Sequence, residues 1–235
     1  MARVVIHTNM GLANQRETAG WLQKGFARHG IHAEITPDRD KKADVHVIQG
    51  NWYAYRRWLG QPNVLFLNRC FYGHGRWDVS LGWLNADGTR DFRWKDEPRR
   101  EIPALAPEKP HKPTNQQCAI YMADYNENAT EAVTGARNKY GRLYYRPHPA
   151  DKREAPALAP DWTLDEVWQI ADVALGHGST VLVEALVNGL EVVSSDPHHV
   201  VNQDCDRETL MARLSWADWH YDEIERGEFW EHLSV

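Results

Sequence analysis

Two short segments in the second half of the chain carry the residue types of an anion-binding site. Arg146-Pro-His-Pro149 sets a guanidinium and an imidazole among rigid prolines, and Leu175-Gly-His-Gly-Ser-Thr180 ends an apolar run in a turn of small residues. A helical pattern begins at once, so backbone N–H groups and the helix dipole would face whatever lies at the turn, as phosphate sites require. Ser179 and Thr180 stand where N-cap residues belong, while Gly178 allows close backbone approach and Arg146, His148 and His177 add side-chain donors. Glu184 follows about one and a half turns into the helix, where a carboxylate can accept hydrogen bonds from a ribose diol. Each has a plainer reading: Gly-Ser-Thr is commonly only a cap, His148 a rigid turn and Glu184 an exposed helix residue. Their joint occurrence points to one half of a nucleotide-diphosphate site.

Such a site needs strands that end side by side, and the sequence supplies candidates at regular intervals. Val4–Thr8, Ala33–Thr36, Val45–Ile48 and Val64–Leu67 read as strands, with a helix over 17–29, stopped at Gly30, and a short aromatic helix over 52–59. Asp78–Leu84 alternates like a strand and runs into the turn Asn85-Ala-Asp-Gly88. Residues 96–114 hold five prolines and no apolar period, which predicts an interdomain linker. The alternation then resumes with strands at Cys118–Met122, Arg142–Tyr145, Val173–Leu175 and Glu191–Ser195, helices over 127–140 and 164–171, and closing helices over 208–219 and 223–233. Strands alternating with helices predict an α/β fold with parallel sheets. The expected plan is two Rossmann-like lobes facing a cleft: residues 1–95, the linker 96–114, and 115–235 with the terminal helices.

Composition narrows the class. The 235 residues are 42% hydrophobic and 26% charged, ordinary for a packed domain. No apolar run could span a bilayer and no signal peptide opens the chain, so a soluble protein of the cytoplasm, without a membrane partner, is expected. Cys70, Cys118 and Cys205 are widely spaced and form no CxxC pair, which predicts free thiols. Through Leu105 the chain has 16 Lys+Arg against 11 Asp+Glu, net +5, and the remainder 11 against 22, net −11, within a total of −6. A basic first half fits a polyanionic partner, and equally fits ordinary surface charge.

Arg146-Pro-His-Pro149 followed by Gly178-Ser-Thr-Val-Leu-Val-Glu-Ala-Leu186 and Gly189 resembles the donor-binding lobe of GT-B glycosyltransferases, especially the capsule-polysaccharide type. The segment Asp222-Glu-Ile224 with Gly227 and Trp230 is similar to the tails of phage-encoded, DNA-modifying relatives. The resemblance covers about the last half of the chain. It implies a nucleotide-sugar donor, a UDP-sugar among the candidates, with its pyrophosphate at Gly178–Thr180 and its ribose at Glu184, and no further cofactor.

The first lobe is then left for the acceptor. Asn14 and Gln15 lie in the expected loop after the first strand, and Arg69 with Tyr72 follows the strongest strand, where basic and aromatic groups suit a sugar or a nucleobase. Trp52, Tyr53, Tyr55, Arg56, Arg57 and Trp58 form a second aromatic-basic cluster, about half of which should be core. Inverting transfer needs a general base, for which Asp78 leads, with His74, Asp91 and Asp87 as alternatives. Double-stranded DNA carrying hydroxymethylated pyrimidine is the expected acceptor, its target base flipped out of the stack. A capsule or lipopolysaccharide glycan is the enzymatic alternative, and a nucleotide-sugar-binding module without turnover the other. His148, His177, His198, His199 and Asp196 are possible metal ligands, but no HExxH-like pair occurs, so no metal is expected.

Overall fold

Four apolar runs of the N-terminal half pair side by side in the computed structural model, which describes residues 2–49, 56–72, 78–124, 130–149 and 161–234. They are β1 (Val4–His7), β2 (Ala33–Thr36), β3 (Val45–Gln49) and β4 (Val64–Arg69), all parallel, in the order β2-β1-β3-β4. Helix α1 (Ala13–Arg28) returns from β1 to β2 and buries Ala19, Leu22 and Phe26, spaced by three and four residues, against Val4, Ile6, Val45 and Val47. It ends at His29, and Gly30 follows at φ 68, a conformation that glycine adopts without steric cost. The helix starts four residues earlier than its apolar period suggests, so Asn14 and Gln15 belong to its first turn rather than to a loop. Of the aromatic helix expected over 52–59, a 3-10 turn spans Arg56–Trp58 and residues 52–55 lie outside the described residues.

β5 (Asp78–Leu84) joins β4 antiparallel, and the two-residue β6 (Arg90–Asp91) joins β5 across the turn at Gly88. The first sheet is therefore mixed, not wholly parallel. A tight turn can only reverse the chain, and the short connection from β5 to β6 is one.

The second sheet is parallel throughout, in the order β10-β9-β7-β8: β7 (Cys118–Met122), β8 (Arg142–Arg146), β9 (Val173–Gly176) and β10 (Glu191–Ser194). Helices α2 (Thr130–Arg137), α3 (Leu164–Ile170) and α4 (Val181–Val187) connect them. Alternation along β7 sends Ala119 and Tyr121 into one apolar cluster and Ile120 and Met122 into another, so both faces are covered, as parallel sheets require.

The chain then leaves this unit. Helix α5 (Arg207–Ala217) is followed by β11 (Asp218–His220), which pairs antiparallel with β5 and extends the first sheet. The last helices, α6 (Tyr221–Arg226) and α7 (Glu228–Leu233), are separated by Gly227 at φ 84 and lie on α1, where Ile224, Phe229 and Leu233 are fully buried with Phe26. Two units result: residues 1–101 with 212–235, and residues 102–211. The end of the chain, expected to close the second lobe, is part of the first. The sequence pattern hides this because Asp218-Trp-His is too short to break a helical period by itself.

The proline-rich segment packs on the first unit at its start and on the second unit further along. Arg99 donates to Ser215 O, Asp218 O and both Glu223 carboxylate oxygens and lies 3.9 Å from the Trp219 ring centroid. In the second unit Lys109 donates to the carbonyls of Trp168, Gln169 and Ala171 at the end of α3, and Lys112 pairs with Asp172.

Assigning charge by folded unit changes the electrostatic picture. Residues 1–101 with 212–235 hold 18 Lys+Arg against 17 Asp+Glu, net +1, and residues 102–211 hold 9 against 16, net −7. The expected basic lobe is nearly neutral once the acidic tail folds into it.

Candidate functional site

In the second unit the strand order reverses between β7 and β9, and the crevice at such a reversal is where open α/β sheets take ligands. Asp124, two residues past β7, meets the turn after β9 there: its Oδ2 accepts the Gly178 N–H at 2.8 Å. The N–H group expected to face phosphate is thus already held by a carboxylate of the chain. The affinity of this turn for an oxyanion is expressed internally. Nothing in the second half's motif pointed to Asp124; its place just past a buried strand was the only signal.

The rest of the turn is ordered from the far side. Ser195 Oγ lies 3.0 Å from His177 Nδ1, and Ser194 Oγ donates to the His177 carbonyl. Asn202 Nδ2 spans the carbonyls of Ser194 and Asp196, at 3.2 and 2.7 Å, fixing the loop beside the turn. His177 and Gly178 are exposed, while Ser179 and Thr180 are half-buried. Thr180 is the residue before α4, yet its backbone is already helical and its side chain makes no cap hydrogen bond. With only seven residues behind it, α4 presents a weak dipole, so side chains rather than a helix end must supply the turn's polarity.

Arg146 ends β8 and His148 follows it, on the other side of β7 from β9. Arg146 donates one guanidinium hydrogen bond to the Trp162 carbonyl, which ties it to the chain ahead of α3. His148 is half-buried, and so is Glu184 on α4. The structure brings His177, Gly178, Ser179 and Thr180 together in one turn and places Arg146 at the end of β8.

In the first unit the carboxyl ends of β1, β3 and β4 form one edge, and β5, running antiparallel, starts from it. Asp78 and Arg69 therefore share that edge. Asp91 does not: it pairs with Trp83, five residues along β5 from Asp78 and about 17 Å away at the strand rise. Its carboxylate accepts the Arg93 N–H and shapes a turn, as Asp87 does with Thr89. His74 lies outside the described residues. Asn14 is exposed on the first turn of α1, and Gln15 Oε1 accepts the Asn9 N–H, closing the loop before it.

The loop from Arg69 to Tyr72 is held by a residue from the chain's end. Asp218, fully buried, accepts the Phe71 N–H at 2.9 Å and the Tyr72 N–H at 3.1 Å. Burial pushes its pKa up to about 7, against those donors and the nearby Arg100 and Arg90 charges. Burial, with Asp218 and Asp78, also pushes the Cys70 thiol up to about 12, which removes it as a nucleophile, and burial raises Tyr72. Asp218 went unrecognised in the sequence because it acts across 146 residues.

This architecture has a solved counterpart. The chain is similar in fold to Thermosulfurimonas dismutans KpsC, beta Kdo 2,7 transferase, with a TM-score of 0.54 and 12% sequence identity over 100% of this chain and 99% of that one. The match to the same organism's KpsC, beta Kdo 2,4 transferase, has a TM-score of 0.48 and 10% identity over 92% and 89%, too low to carry an argument. At such identity the likeness establishes the fold: the α/β, GT-B-like architecture expected from the motifs. No protein-family model and no curated protein matches the chain.

A cavity of about 660 Å³ opens elsewhere, in the first unit, between the segment around Lys95 and α5 to α7. Its walls join Arg99 to Glu223 and stack Lys95 on Trp216, so its charges are largely paired among themselves. Among the described residues no cluster of His, Cys, Asp or Glu could hold a metal, and no helix is long and apolar enough to cross a membrane.

Proposed function

We propose that the protein is a glycosyltransferase that moves a sugar from a nucleotide-sugar donor to a hydroxyl of a glycan. The observation that carries this reading is the likeness in fold to a Kdo transferase over the whole length of both chains. The exposed turn at the β7/β9 reversal supports it, since it adds small polar residues and an imidazole at the place where this fold class takes ligands.

In this reading the second unit binds the donor. His177, Ser179 and Thr180 meet the nucleotide phosphate with His148, Glu184 meets the ribose, and Asp124 fixes the turn through Gly178. The first unit receives the acceptor at the edge holding Arg69 and Tyr72, with Asn14 nearby. Asp78 is the preferred base, because it lies on that edge and Asp91 lies on the other. It takes the acceptor hydroxyl proton as that oxygen bonds to the anomeric carbon and the bond to the phosphate breaks. A glycan is favoured over duplex DNA because a unit of net charge +1 offers little to a polyanion.

The test is incubation with UDP-, GDP- and CMP-sugars, each with a capsule-type glycan and with hydroxymethylated duplex DNA. Nucleotide release with mass gain on the glycan is expected. Mass gain on DNA alone moves the acceptor to nucleic acid, and binding without release from any donor removes the transferase in favour of a binding module. Ser179→Ala with Thr180→Val should lower kcat/KM at least tenfold with little change in Tm.

A further inference from the structure

The first unit has a strand-order reversal of its own, and two unsatisfied side chains stand in it. β1 lies between β2 and β3, so the chain departs from it to opposite sides, and its carboxyl end opens beneath the start of α1. The register pairs His7 with Ile48, which sets Thr8 beside Gln49 one residue on. Thr8 shares strand parity with Val4 and Ile6, and Gln49 with Val45 and Val47, all of which pack in the cluster on the α1 side. Thr8 is 6% and Gln49 8% exposed, yet Thr8 Oγ1 and Gln49 Nε2 have no hydrogen-bond partner. Native proteins rarely leave such groups unmet, because burial strips their water and nothing replaces it.

The helix end above them has no side-chain cap from its N-cap residue. α1 has 16 residues, its N-cap is Leu12, no side chain caps it among the described residues, and no acidic residue occupies its first turn. Its first N–H groups, the Gln49 amide and the Thr8 hydroxyl are all donors, and Arg69 sits exposed at the end of β4 on the same face by parity. Donors gathered at a helix N-terminus favour an acceptor that carries negative charge.

We infer that the first unit binds an oxyanion, a phosphate or a carboxylate of a larger ligand, at the N-terminus of α1, with Thr8 and Gln49 as its side-chain donors. This site rests on the first unit alone and requires no sugar transfer, so it can stand if the transferase reading fails. It also assigns Gln15 a new part: by holding Asn9 it shapes the loop over the site.

The experiment compares the full chain with Thr8→Val and Gln49→Met, each close in shape to the residue replaced, by calorimetric titration and thermal melting. The probes are inorganic phosphate and glucuronate, with glucose as the uncharged control. Wild type should bind at least one anion at millimolar concentration and not glucose, and phosphate against glucuronate tells which source the site prefers. Each variant should weaken that binding at least tenfold while leaving the ligand-free Tm unchanged or higher, since it removes a buried group that has no partner. Unchanged anion binding in both variants overturns the inference. So does a lowered ligand-free Tm in both, which would mean the two groups serve the fold, and so does absence of binding of either anion by wild type.

Discussion

The two units solve the same α/β problem by different routes. The second is contiguous, residues 102–211, and its four parallel strands are joined by connections that return locally. The first is discontinuous: its sheet is extended by β11 and its α1 face is covered by α6 and α7, all supplied from the end of the chain. A contiguous unit can be read from local periodicity, whereas a discontinuous one depends on contacts across more than a hundred residues. The same difference bears on function, because the acidic tail cancels the first unit's basic charge and Asp218 positions the loop proposed to meet the acceptor.

Four experiments would break or sharpen that contrast. The largest effect is expected from deleting residues 212–235. Trp219, Ile224, Phe229 and Leu233 are fully buried, each contributing about 1.5–3 kcal/mol, a large share of a domain's stability of about 5–15 kcal/mol. Hydrogen exchange should show protection lost in β1 to β5 and kept in β7 to β10; protection surviving in both sheets would mean the first unit does not need its tail.

Next comes Gly25→Ala on α1. A Cβ there would stand 2.1 Å from the Ile224 carbonyl oxygen, so α6 must move away, at a cost of about 1–3 kcal/mol or more in urea denaturation. Gly135→Ala on α2 meets nothing within 4 Å and should instead gain about 0.5–1 kcal/mol. Opposite signs are the expected outcome, and equal signs would mean that α1 and α6 are not in close contact.

Asp218→Asn should cost about 1–3 kcal/mol, because its amide group faces the Phe71 N–H, a donor against a donor. It should also alter the pH dependence. With a folded pKa near 7 against about 3.9 unfolded, Asp218 contributes stability that is present below about pH 4 and lost as pH rises through 7. Burial lowers the pKa of His7, His46 and His232, which gives a slope of opposite sign below about pH 6.5, so the quantity to measure is wild type minus variant. That difference should shrink between pH 4 and 7. A difference that grows would show that the carboxylate stays ionised at the Phe71 and Tyr72 N–H groups.

The smallest destabilisation belongs to the second unit. Lys109→Met removes the cation at the end of α3 and should cost about 1 kcal/mol, read as a lower Tm for that unit alone.

Much of the fold was legible in the residues. β2, β5 and β7 occur at their expected bounds, and β1, β3, β4, β8, β9 and β10 within two residues, since buried strands must be apolar runs and these are flanked by turn residues. The site was legible in part. The turn at His177–Thr180 falls where Gly, Ser and Thr between an apolar strand and a helix require it, but the partners of its atoms were hidden. Asp124 on Gly178, Trp162 on Arg146 and Asp218 on the Phe71 and Tyr72 amides are contacts between segments remote in sequence, and no local period encodes them.

The sequence alone determined the class of architecture and the position of the β9 turn, because period and turn chemistry are properties of neighbours along the chain. Tertiary structure decided which unit owns the C-terminal segment, what net charge each unit carries, which candidate carboxylate shares an edge with Arg69, and that Thr8 and Gln49 are buried without partners. Those are properties of neighbours in space, set when a three-residue strand at 218–220 pairs with β5 and brings the end of the chain back to the sheet that began it.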